Sequence, residues 1–140
     1  MNSKRLLLAI VAGFVLYFGT DFLVHGLWLV PDYQATASLW RTDAEMTARM
    51  PWMLTGHLVF AATFVVLWAK GFAERGCLMG ACAFGLLMGL FSQSNTLITY
   101  VVSPLPLAIA MKWLLSGLVQ AVLLGAVTFF VYKPAPAPAT

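Results

Sequence analysis

Asp21 and His25 stand four residues apart, a spacing that puts a carboxylate and an imidazole on one helical face, one turn apart. His57 is the second of the two histidines in the chain. A carboxylate beside imidazoles suits several chemistries. Asp21, His25 and His57 fit a divalent metal such as zinc, with Asn95 or water completing the shell. His25 and His57 fit a haem or a quinone headgroup, with Tyr17 or Trp28 nearby. Asp21 and His25 also suit a proton relay or an ion site. The plain alternative is an interhelical hydrogen-bond cluster that holds helices in register, each bond contributing about 0.6 kcal/mol. No H-E-x-x-H, G-x-S-x-G or nucleotide-binding loop selects among them, so no catalytic role is assigned and the chain is read as a non-enzyme.

The elements that must position these groups are apolar. The chain has 140 residues, 61% hydrophobic and 9% charged, far below the roughly 25% charge of soluble domains. Residues 6–30, 52–69, 77–102 and 105–132 form apolar segments, each near or above the ~20 residues that cross a bilayer. An all-α, four-span antiparallel bundle over residues 1–133 follows, with the lipid bilayer as its surroundings. Residues 134–140 alternate proline and alanine, which predicts a disordered tail. The net charge of +3 sits at helix ends and does not point to nucleic acid.

Orientation comes from the basic residues. Lys4, Arg5, Lys70, Arg75 and Lys133 fall on one side, Arg41, Arg49 and Lys112 on the other, so the positive-inside rule predicts both termini in the cytoplasm. The first segment is too long for a cleaved signal peptide and contains Asp21, so it is expected to be retained. Cys77 and Cys82 do not match C-x-x-C spacing and read as small buried apolar residues. The short 70–76 connection predicts that helices two and three pack as antiparallel neighbours. Trp68 is expected at the inner interface, and Gly85 and Gly89 form a G-x-x-x-G pair that permits close helix contact.

Depth accounting gathers the polar groups. Asp21 and His25 lie towards the outer end of helix one, and His57 about two turns, or ~9 Å, inside helix two. The run Ser92 to Thr99 occupies the outer third of helix three, where Gln93 and Asn95 should face other helices or enclosed water. Lys112 lies near the outer end of helix four and snorkels or joins the cluster. A polar pocket on the periplasmic side is the expectation.

The 31–51 loop is the only sizeable extramembrane piece. Thr42-Asp43-Ala44-Glu45 fits a capping box and predicts a short surface helix near Asp43. Tyr33, Trp40, Arg41 and Glu45 are the candidate partner-docking residues of this loop. The run Asp21-Phe22-Leu23-Val24-His25-Gly26, then Leu29, Tyr33, Ala35-Thr36-Ala37, Leu39-Trp40-Arg41 and Glu45-Met46, resembles a group of small uncharacterised bacterial inner-membrane proteins with four helices and a Trp-Arg outer loop. Thr42 stands where many of that group have proline. The resemblance implies this topology and a bacterial inner membrane, but no activity. The leading expectation is an accessory or structural subunit docking other membrane subunits or a second copy. The rival is a ligand-, metal- or ion-handling protein using Asp21, His25 and His57.

Overall fold

The computed structural model describes residues 2–74 and 76–132. Arg75, Lys133 and the 134–140 tail, used above for orientation and disorder, lie outside the described residues. Helix α1 (Ser3–Leu23) starts where the Asn2 side chain accepts from the Arg5 amide. It runs into a π-helical turn, Val24–Trp28, closed by the Leu29 amide donating to the Val24 carbonyl at 2.8 Å. Two short helices follow, α2 (Val30–Ala35) and α3 (Asp43–Ala48), separated by a 3₁₀ turn at Ala37–Leu39. Three long helices follow: α4 (Met50–Gly71), α5 (Leu78–Val102) and α6 (Leu107–Val131).

The boundaries follow local chemistry. Pro31 and Pro51 sit in the first turns of α2 and α4, where a missing N–H costs nothing. The capping box at α3 is present in full, Thr42 and Glu45 each accepting from the other's backbone amide. Cys77 caps α5, its Sγ accepting from the Gly80 amide, and is exposed rather than buried. Among the described residues four helices, the first continuing through Trp28, are long and apolar enough to cross a membrane, and the chain is a multi-pass four-helix bundle. Residues 24–50 and 103–106 lie at one end, called here the loop end. Asn2, residues 72–74, 76 and 77, and Tyr132 lie at the other, the terminal end.

The order around the bundle is α4, α1, α6, α5. Helices α5 and α6 pack most closely, because small residues recur every four positions on both: Ala81, Gly85 and Gly89 against Gly125, Ala121 and Gly117. A Cβ built on Gly125 would collide with the Ala81 carbonyl, and one on Gly85 would lie 2.9 Å from the Val122 Cα. The Gly85–Gly89 pair therefore does serve close contact. It serves it with α6, however, and α4 and α5 approach little despite their short connection. Bulky rings hold them apart: Phe64, Trp68 and Phe72 all meet Phe84, at centroid distances of 4.9, 5.6 and 5.0 Å. Trp68 is accordingly 2% exposed, a core residue rather than an interfacial one. Gly76 lies flat on it, since a Cβ there would be 2.6 Å from the indole.

Candidate functional site: a carboxylate between two histidines

Asp21 lies in the last turn of α1, where the helix passes between α4 and α6. One oxygen, Oδ2, lies 3.0 Å from His57 Nε2 on α4. The other, Oδ1, lies 3.4 Å from His25 Nε2, one turn further along its own chain. From α6, the buried Gln120 amide donates to Thr20 Oγ1 at 3.2 Å and reaches Asp21 Oδ1 at 3.5 Å. Thr20 can accept because its own hydroxyl proton is turned back to the Leu16 and Tyr17 carbonyls. Three helices are thus tied through one carboxylate.

Each histidine is held on its far side as well. His57 Nδ1 lies 2.7 Å from the Met53 carbonyl, and its ring packs between Tyr17 and Phe18. His25 Nδ1 meets the Tyr33 hydroxyl. That hydroxyl also accepts from Trp113 Nε1 on α6 at 2.8 Å. Burial pushes the Tyr33 phenol up to about 12, against the opposing pull of the Trp113 hydrogen bond, so it keeps its proton as a donor. Trp40 closes the loop end, with its ring centroid 5.1 Å from Tyr33 and 6.0 Å from Trp113, and donates to Thr36 Oγ1 at 2.9 Å.

One turn outwards, Lys112 makes a two-oxygen salt bridge to Asp32 at 2.8 and 3.0 Å, with its ammonium 5.3 Å from the Trp28 ring centre. It pins α2 to α6 instead of snorkelling or joining the carboxylate cluster. Gln93 is turned to α6 but elsewhere: it lies over Gly117, whose missing side chain makes the room, and accepts from the Thr96 hydroxyl at 2.7 Å. Asn95 departs from expectation altogether. Its side chain is exposed on the outer face of α5, because the inward register of that helix is taken by the 81–85–89–93 row.

Of the expected residues, Asp21, His25 and His57 converge, while Gln93, Asn95 and Lys112 do not join them. The polar groups expected to line a pocket are paired with one another. Both carboxylate oxygens and all four ring nitrogens already point at partners, and among the described residues no three His, Cys, Asp or Glu side chains are arranged to hold a metal ion. A haem or quinone likewise finds no free ring nitrogen. A cleft of about 460 Å³ opens at the terminal end, lined by residues such as Trp68, Lys70, Glu74 and Cys77, remote from this chemistry. In the loop, Tyr33 and Trp40 are half-buried, their O–H and N–H groups bonded within the chain. Arg41 and Glu45 stay exposed, with Glu45 occupied by the α3 cap. Sequence reasoning missed the roles of Thr20, Asp32, Trp113 and Gln120. The i, i+7 step from Trp113 to Gln120, which puts both on one face of α6, was the available signal.

No protein-family model, curated protein or solved structure matches this chain.

Proposed function

We propose that this protein is a small accessory subunit that docks another membrane protein, or a second copy of itself, through the exposed face of α5. The observation that carries this is Asn95. Helix α5 has 25 residues, ~37 Å at 1.5 Å per residue, against ~30 Å of hydrocarbon. Asn95 lies seven residues before the helix end, so a centred α5 carries its amide roughly 7 Å inside the apolar layer. Lipid offers an amide no partner, whereas a neighbouring helix does. Phe91, Ile98 and Val102, on the same face at heptad spacing, are 77%, 59% and 78% exposed and would complete a helix-packing seam.

The setting inferred from the basic residues and the sequence resemblance is a bacterial inner membrane with both termini cytoplasmic. Purification from native membranes in mild detergent, with mass spectrometry of what accompanies the chain, tests the docking. A stoichiometric companion or a dimer that is lost in Asn95→Leu supports it. A monodisperse single chain in lipid nanodiscs, unaltered by that substitution, overturns it. A second reading, proton or ion handling at Asp21, His25 and His57, is favoured by one observation, the convergence of those three side chains below the loop end.

A further inference from the structure

We propose that the Asp21–His57 bridge is a proton-binding site, in which His57 carries two ring protons while His25, on the same carboxylate, stays neutral. This inference is independent of the docking face on α5. It follows from the direction of each hydrogen bond.

With Asp21 ionised, the His57 ring lies between two groups that only accept. Its Nδ1 faces the Met53 carbonyl at 2.7 Å and its Nε2 faces a carboxylate oxygen of Asp21 at 3.0 Å. A neutral imidazole has one N–H, so it would leave one lone pair pressed against an oxygen lone pair. Two N–H groups satisfy both contacts. The ring is then an imidazolium, and its charge cancels that of Asp21. At 10% side-chain exposure for His57 and 23% for Asp21, a neutral pair avoids placing a bare charge beside hydrocarbon.

His25 has the opposite surroundings. The Tyr33 hydroxyl accepts from Trp113 Nε1, an obligate donor, and so has its proton free to give to His25 Nδ1. Given there, it makes that nitrogen the acceptor, and the remaining N–H, on Nε2, points to Asp21 Oδ1. One proton satisfies His25 and two satisfy His57. The polarity runs unbroken from Trp113 through Tyr33 and His25 to Asp21, where it meets the donor from His57.

The other groups facing the pair do not alter this count. Tyr17, 5.3 Å from the His57 ring, contributes a ring face. Gln120 brings a donating amide to the Oδ1 side. Lys112 is neutralised by Asp32.

The test is nitrogen-15 NMR of the full chain, labelled at histidine, in lipid nanodiscs at pH 7. The expected spectrum has one histidine with two protonated ring nitrogens and one neutral Nε2–H histidine, assigned to His57 and His25 by His25→Gln. Two neutral histidines, two cationic ones, or the reverse assignment would overturn the proposal, and the spectrum of the unsubstituted protein decides that alone. Asp21→Asn adds a sharper readout. The asparagine amide can donate to His57 Nε2 while its oxygen still accepts from His25, so His57 should lose its cationic signal and become a neutral Nδ1–H histidine. A His57 that stays cationic in Asp21→Asn would refute Asp21 as the partner that holds the proton.

Discussion

At the scale of single residues, the polar groups of this protein are organised by what each neighbour can give or take. Tyr33 shows the principle. It receives from Trp113 and gives to His25, so it joins α6 to the end of the first span although it lies outside all four spans. Tyr33→Phe keeps the ring and removes both bonds, leaving an indole N–H and an imidazole nitrogen without partners. We expect a loss of roughly 1 kcal/mol in thermal or denaturant unfolding, with a change in tryptophan emission that Tyr100→Phe, on an exposed face of α5, does not produce. Glu45 gives a second case. Hydrogen bonds from the Thr42 amide and hydroxyl hold its carboxyl below the ordinary glutamate range. A depressed folded value means that the cap is fully present above the unfolded value and is lost as pH falls through the folded one. Protection of the α3 amides from hydrogen exchange, taken relative to the intrinsic rate at each pH, should therefore fall on acidification, and in Glu45→Gln that change in protection should disappear.

At the scale of elements, the number of spans was legible in hydropathy, and so was the capped helix at Asp43, because both depend on composition and short-range spacing. The neighbour relations were not. A short loop suggested that α4 and α5 pack together, but loop length limits only the distance between helix ends. Which faces meet is decided by volume, and here the small residues of α5 match those of α6 while Phe64 and Trp68 fill the space towards α4. The same volumes explain the candidate site. The i, i+4 pairing of Asp21 with His25 and the depth of His57 could be read from spacing. The outward register of Asn95 could not, since it follows from the row Ala81, Gly85, Gly89 and Gln93 facing inwards. Gly125→Ala should be costly for the same reason. Its Cβ would meet backbone and not a yielding side chain, and we expect a destabilisation of about 1–3 kcal/mol. Gly56→Ala is the control, with nothing within 4 Å of the added carbon.

At the scale of the whole molecule, the two ends differ in kind. The loop end is polar inside and lidded by Trp40, whereas the terminal end is a ring-packed core around Trp68 with an open cleft. Cys77 is an exposed thiol at the terminal end and reports orientation without any engineering. With both termini in the cytoplasm, a membrane-impermeant maleimide should label inverted vesicles and spare intact spheroplasts. Labelling of intact spheroplasts at Cys77 would reverse the proposed orientation. Cys82→Ser leaves Cys77 as the single thiol for that measurement.

The π-helical turn at Val24–Trp28 carries one residue more than an α-helix would need over the same path. Because the surplus is absorbed within the turn, deleting one residue there, such as Leu27, should restore plain α-helix and leave the chain beyond it in phase, with Tyr33 still against Trp113 and Asp32 still against Lys112. Deleting a second would remove a residue the α-helix needs and turn everything beyond it by about 100°. The turn thus holds one residue of slack, and a one-residue deletion should keep the mouth closed where a two-residue deletion opens it.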